Sequence, residues 1–270
     1  MKANRLVLTV LLLVTAAVFQ LPAQQNEADR KVLAEIRAGA DKGDAKAQYE
    51  LGRAFFSGTL GVAKDEAEAV KWFRKAAEQN VADAQFSLGV CYANGRGVAE
   101  DDAEAVKWFR KAAEQNDARA QAALGVRYAK GQGVAKNKAE AVKWYRKAAE
   151  QNVADAQYNL GVCYANGQGV TEDDAESVKW FRKAAEQNFA DAQYNLGVYY
   201  DSGEGVAKDE VEAYKWWLLA AGQGNDDAKY NMTIVENKMS REQIAEGRRL
   251  ARDFKPRKVP SEGSDARLPP

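Results

Sequence analysis

The stretch Glu68-Ala-Val-Lys-Trp-Phe-Arg-Lys-Ala-Ala-Glu-Gln-Asn80 returns almost letter for letter at 104–116, 140–152 and 176–188, and in altered form at 212–224. Trp72, Trp108, Trp144, Trp180 and Trp216 therefore stand 36 residues apart. A fixed period of this size means one supersecondary unit stacked on copies of itself. Such a chain grows along one axis, each unit burying its apolar face against its neighbours, and has no central core.

The grammar of the unit is helical. Each opens with Ala-x-Ala-Gln, at 45–48, 82–85, 118–121, 154–157 and 190–193. A Leu-Gly pair follows (Leu51-Gly52, Leu88-Gly89, Leu124-Gly125, Leu160-Gly161, Leu196-Gly197), then an aromatic three residues on. Alanine, leucine and the aromatic fall on one face of a helix. A mid-helix glycine costs roughly 1 kcal/mol against alanine, which implies that another backbone crosses closely there. The helix stops at Gly-x-Gly-Val (95–98, 131–134, 167–170, 203–206). These glycines follow a helix and lack the third glycine of a dinucleotide loop, so they read as turns. A second helix begins at Asp65, Asp101, Asn137, Asp173 or Asp209, each with glutamate three residues later, the pattern of a reciprocal capping box. It ends at Asn80, Asn116, Asn152, Asn188 or Gly224, residues that tolerate the left-handed conformation after a helix.

The ends differ. Lys2 and Arg5 precede an apolar run from Leu6 to Phe19, and Ala23 then offers a small residue before Gln24. The run is shorter than the roughly 18–20 residues that span a bilayer, so residues 1–23 are expected to be a cleaved export signal. The expected location is periplasmic or secreted, with no stable membrane insertion after cleavage. Residues 24–43 read as an N-terminal capping helix, 44–225 as five repeats, 226–254 as a C-terminal capping helix pair, and 255–270 as a disordered tail.

Lysine plus arginine equal aspartate plus glutamate at 39 each, so the basic excess that phosphate binding needs is missing, and no nucleic-acid partner is expected. The absence of histidine removes histidine triads and histidine metal sites. No cofactor and no metal are expected. Every acidic position recurs with the repeat, whereas an active site normally occurs once. Pairs such as Asp101-Asp102 and Asp173-Asp174 are accounted for by caps and the helix dipole.

Together these motifs closely resemble the Sel1-like repeat, a relative of the tetratricopeptide repeat, over roughly 45–238. The resemblance implies an all-α fold: a right-handed α-solenoid superhelix of antiparallel helix pairs. It also implies a non-enzymatic adaptor of the cell envelope that holds a protein or peptide segment in a concave groove. An exported carboxylate-dependent hydrolase acting on cell-wall material, or an enzyme inhibitor, are the alternatives. A cysteine-rich branch of the family bridges its two helices with disulfides. Here Cys91 and Cys163 occupy the same place two repeats apart, roughly 20 Å by helix spacing, so free thiols are expected. By analogy the unpacked face of each first helix lines the groove. That face holds Tyr49, Phe86, Val90, Asn94, Tyr158, Asn159, Val162, Asn166, Tyr194, Asn195, Val198, Tyr230 and Asn231. Tyrosine offers rigid contact area and asparagine pairs with peptide groups. Tyr158 and Tyr194 are expected outside the layer between helices. A monomer is expected.

Overall fold

The computed structural model describes residues 27–257, and within them every element is a helix. The signal sequence expected at 1–23 and tail residues 258–270 lie outside the described residues. The chain divides into two units, 1–112 and 113–270. The first holds α1 (27–41), α2 (Ala45–Ser57), α3 (Glu66–Glu78), α4 (Ala82–Asn94) and most of α5 (Asp102–Glu114). The second holds α6 (Ala118–Lys130), α7 (Lys138–Glu150), α8 (Ala154–Ala165), α9 (Asp174–Glu186), α10 (Ala190–Ser202), α11 (Glu210–Gly222), α12 (Asp226–Glu236) and α13 (Arg241–Asp253). In the first unit α2 packs on α3 and α3 on α4; in the second, α6 through α12 pack each on the next, and α13 packs on α11. Consecutive helix pairs of this kind define an α-solenoid.

The second helices start at side-chain caps, whereas α4, α8 and α10 start at Val81, Val153 and Phe189 with none. The Asp65 carboxylate accepts the Glu68 N–H at 2.9 Å, and Asp173 accepts that of Glu176 at 3.0 Å. The glutamate does not return the bond as a capping box requires. Glu176 gives its two oxygens to Lys179 (2.8 Å) and to the indole N–H of Trp180 (3.1 Å). A reciprocal box forms at α13, between Ser240 and Gln243. At the other end Asn80, Asn116, Asn152 and Asn188 have φ between 64° and 69°, the left-handed geometry that selects Asn or Gly.

The Leu-Gly glycine meets a ring first, where a backbone was expected; at Gly52 backbone stands behind the ring, the Ala69 carbonyl oxygen 3.3 Å from a Cβ there. A Cβ on Gly161 would stand 2.8 Å from the Phe181 ring, and one on Gly89 would stand 2.7 Å from the Phe109 ring. First and second helices of a pair thus touch through a glycine–aromatic contact, flanked by fully buried leucines such as Leu88 and Leu160. Burial of each leucine is worth about 1.5–3 kcal/mol. Backbone does cross at the second glycine of Gly-x-Gly-Val. A Cβ on Gly169 would lie 2.6 Å from the Ala139 nitrogen, at the start of α7 one repeat earlier. Only glycine fits there, and its φ of 76° adds to the requirement.

A polar ladder runs beside this apolar contact. Gln157, fully buried in α8, donates to the Ala149 carbonyl at the end of α7 (3.0 Å) and accepts from Gln187 at the end of α9 (2.7 Å). Gln121, Gln193 and Gln48 repeat the arrangement, with Gln151, Gln223 and Gln79 as donors at 2.8 Å. The glutamine of Ala-x-Ala-Gln therefore adds a second donor to a helix-end carbonyl that already accepts a backbone N–H, as Ala149 does from Asn152 at 3.1 Å.

The fifth repeat departs from the others because α13 lies on it. Where α9 has Arg182 and Lys183, α11 has Leu218 and Leu219. Leu218 and Ile244 of α13 pack on the cluster around Tyr214 and Trp217, while Leu219 and Phe254 pack on the cluster around Trp216. Phe254 meets Trp216 edge to face, 5.6 Å between centroids, and the Arg257 N–H reaches the Glu186 carbonyl at 2.8 Å. Residues 254–257 are thus held against α11 and α9, where the sequence suggested a free tail from 255.

Candidate protein-binding surface

The face expected to form the groove separates into packed and open residues. In the first unit Phe86 is only 2% exposed, its ring 5.8 Å from Phe109, so it is core and offers no contact surface. The expectation for Phe86 is corrected. Its apolar ring closes the glycine–aromatic contact of its own repeat. Tyr49 is half-buried, 5.8 Å from Phe73 on one side, with the Arg53 guanidinium 5.9 Å from its ring centre. Val90 is half-buried; Asn94 is exposed and donates to the Val90 carbonyl at 2.9 Å.

In the second unit Tyr158 lies 5.7 Å from Phe181 and 5.2 Å from Phe189, which begins the next repeat. It is half-buried, and burial pushes its hydroxyl pKa up. Tyr194 packs on the cluster around Tyr214 and Trp217, and its carbonyl accepts the Trp217 indole N–H at 3.1 Å. Both tyrosines belong to the layer between helices, contrary to expectation. Tyrosine has an apolar ring able to close a gap beside an aromatic, and its polar tip needs only one edge of water.

The asparagines lean on their own helices. Asn159 donates to the Asp155 carbonyl (2.8 Å), Asn166 to Val162 (2.9 Å) and Asn195 to Asp191 (3.0 Å). Each thus spends an amide N–H on the carbonyl one turn earlier in its own helix. Asn231 is half-buried.

What remains open is apolar. Val162 is half-buried, Val198 is 36% exposed and Tyr230 69% exposed. Ile234, which was not singled out from the sequence, is 40% exposed. Its place was legible: it stands 36 residues after Val198, as Val198 stands after Val162. Three equivalent positions on α8, α10 and α12 thus carry branched aliphatic side chains, with asparagines 159, 195 and 231 each three residues before.

The carboxylates displaced from their ordinary range move down: Glu66 through Arg96 and Lys64, Asp226 through Lys229, Glu246 through Arg249, and Glu242 through hydrogen bonds at the start of α13. A general acid needs the opposite shift. Among the described residues no group of three metal-ligating side chains is placed to hold an ion, and no helix is long and apolar enough to cross a membrane. Cys91 and Cys163 are free and buried.

Stacked helix pairs with a partly open first-helix face define a helical repeat protein. The family model described as Sel1 repeat matches residues 45–81, 82–117, 118–153, 154–189 and 190–225. The chain belongs to the Sel1 repeat family, whose repeats mediate protein–protein interaction. A Sel1 repeat protein from Oxalobacter formigenes is similar at 32% identity and TM-score 0.72, over 86% of this chain and 98% of that one. A protective antigen present in uropathogenic Escherichia coli strains, displaying an SLR fold, is similar at 38% identity and TM-score 0.74 over 81% of this chain. The match spans 47% of the antigen, about half its length. No curated protein matches the chain.

Proposed function

We propose that the chain is a non-enzymatic adaptor of the cell envelope that holds a segment of another protein across the first helices of its second unit. The carrying observation is the aliphatic row Val162, Val198 and Ile234, half-buried at its first member and exposed at the other two, beside asparagines 159, 195 and 231. An apolar row supplies contact energy, and a flanking line of acceptors suits the backbone N–H groups of an extended segment. Tyr158 and Tyr194 support this surface from behind. If the held protein is an enzyme, the chain acts as its inhibitor through the same surface.

Export of the chain belongs to the same proposal. It requires removal of residues 1–23, and mass spectrometry of protein from the envelope fraction should then find Gln24 at the N-terminus. An intact Met1 on membrane-retained protein would overturn it.

The binding test compares immobilised wild type with Val198→Asp and with the distant surface change Lys107→Glu, using envelope extract. Central anchors typically cost 2 kcal/mol or more when disrupted, roughly thirtyfold in affinity. Val198→Asp should lose the retained protein, and Lys107→Glu should keep it. Retention by both variants at unchanged affinity would place binding elsewhere on the molecule.

A further inference from the structure

Each repeat pairs a first helix bearing glycine with a second helix bearing an aromatic: Gly52 with Phe73, Gly89 with Phe109, Gly125 with Tyr145, Gly161 with Phe181, Gly197 with Trp217. Two helices stand outside this pairing. In the repeat register α12 is a first helix, with Ala228, Tyr230 and Met232 at the places of Ala192, Tyr194 and Leu196. No second helix follows in its place, because α13 lies on α11, where Gly247 abuts the Tyr214 ring. The ring of Tyr230, whose counterpart Tyr158 is covered by Phe181, is 69% exposed. Conversely α1 is a second helix with no first helix before it among the described residues. Val32, Leu33 and Ile36 stand where Ala69, Val70 and Phe73 stand in α3. Leu33 is buried toward α2, and Val32 is 44% exposed.

The letters at the two orphan positions are complementary. The glycine place on α12 is Thr233, and the aromatic place on α1 is Ile36. Thr233 would collide with any ring, since even the Cβ of an alanine at Gly161 falls 2.8 Å from Phe181. A threonine against an isoleucine instead has close to the volume of a glycine against a tryptophan, the pair Gly197 and Trp217 of the fifth repeat, and such an exchange is one that packing tolerates. We propose that a second copy of this chain docks head to tail, α1 of one copy completing the repeat that α12 of the other begins. Tyr230 then covers Ile36 as Tyr158 covers Phe181, with Val32 beside it. The inference stands apart from the adaptor reading, which rests on the valine row. It departs from the expectation of a monomer.

The composite pair is weaker than an internal one. The glutamine ladder is missing there, because its two places are held by Lys42 and Lys229, the latter ion-paired with Asp226 at 2.6 Å. Two cations replace a hydrogen bond, so association should be concentration-dependent and strengthened by salt, which screens them. Because the two surfaces differ, growth is heterologous and does not stop at a dimer by symmetry.

Sedimentation of the purified protein over a wide concentration range tests this. Wild type should rise in mass beyond a dimer. Tyr230→Glu and Val32→Asp alter exposed side chains, so both should keep wild-type circular dichroism, and each alone should be monomeric. Mixed together they should give a one-to-one heterodimer, since one retains α1 and the other α12. A second pair, Thr233→Cys on one copy and Ile36→Cys on the other, should form a disulfide between chains on oxidation. A wild type monomeric at every concentration overturns the proposal. So does association lost in Tyr230→Glu but kept in Val32→Asp, which would mean that α12 pairs with α12.

Discussion

Gln187 donates its side-chain amide to the side-chain oxygen of Gln157 at 2.7 Å, and Gln157 in turn donates to the Ala149 carbonyl at 3.0 Å. Two adjacent repeats are joined by this chain of bonds at a site where Gln157 is fully buried. Replacing Gln157 by leucine takes the Gln187 amide's partner away and leaves the Ala149 carbonyl with backbone donors alone, the Asn152 N–H at 3.1 Å among them. The expected loss is about 1–3 kcal/mol, from the desolvation of groups left unsatisfied. Gln187 is only half-buried, so Gln187→Leu should cost less. The double variant should cost less than the two added together, because the second change removes a group the first had orphaned. Urea titration of the four proteins gives the cycle. Additive losses would mean that the two glutamines are independent.

The two glycines of the turn after α8 have different reasons to be there. Both have positive φ, 59° at Gly167 and 76° at Gly169. A Cβ on Gly167 would meet nothing closer than 3.5 Å, the Glu172 Cβ standing at 3.6 Å, whereas one on Gly169 would collide with the backbone that opens α7. Gly167→Asn should cost roughly 1 kcal/mol or less, since asparagine tolerates the left-handed region. Gly169→Asn should cost several times more, because backbone atoms have nowhere to go. Equal melting temperatures for the two variants would remove the crossing argument.

Burial pushes the Cys91 thiol up to about 12 and the Cys163 thiol up to about 11. The neutral thiol is therefore favoured in the folded chain, while an unfolded cysteine ionises near its usual 8.5. The folded state then holds more protons than the unfolded state above that pH. Its stability is fully present below pH 8 and falls as the pH rises from there toward the folded values. Neither thiol should react with iodoacetamide in native protein at pH 8, and both should react in denaturant. Cys91→Ser with Cys163→Ser should flatten the alkaline side of the stability curve. An unchanged slope would assign the alkaline loss to other groups.

The period, the helix pairing and the asparagine stops were legible because each depends on residue identity at one place, repeated five times. Which partner each residue meets was less legible. The Leu-Gly glycine suggested a crossing backbone, yet the crossing atom is a ring, and sequence spacing alone does not distinguish the two. The glutamate three residues into each second helix fitted a capping box. It serves the lysine three residues on instead, and in α3, α9 and α11 the tryptophan four residues on as well, because both lie about one turn away. The groove residues divided for a geometric reason. Tyr158 and Val162 are one turn apart on the same helix, but Tyr158 leans over the aromatic of its own repeat while the Val198 position one repeat on stays open. Phe86, with no hydroxyl to hold at the edge, sinks fully into that contact.

The clearest reading concerns Leu218 and Leu219. Four repeats carry Arg-Lys at this place, and in all four the lysine lies over the tryptophan three residues before it, as Lys183 lies 4.1 Å from the Trp180 ring centre. In the fifth, leucines stand there and α13 with Phe254 covers them. Restoring the common letters with Leu218→Arg and Leu219→Lys should keep the repeat itself intact, since α3, α7 and α9 fold with those residues. It should cost the covering segment its apolar seat. Losing two half-buried leucine contacts amounts to about 1–3 kcal/mol in total, enough to open a terminal element that has few other anchors. Hydrogen exchange should then speed up in α13 and at Arg257, whose N–H reaches the Glu186 carbonyl. Exchange in α7 and α8 should stay as it was, because coupling in a stack runs between neighbours. Fluorescence of Trp216 should move toward that of a wetter indole once Phe254 departs. Should α13 stay protected in the double variant, the Tyr214 hydroxyl and its bonds to Glu236 and Arg248 would be what holds it, and Tyr214→Phe would be the change that frees it.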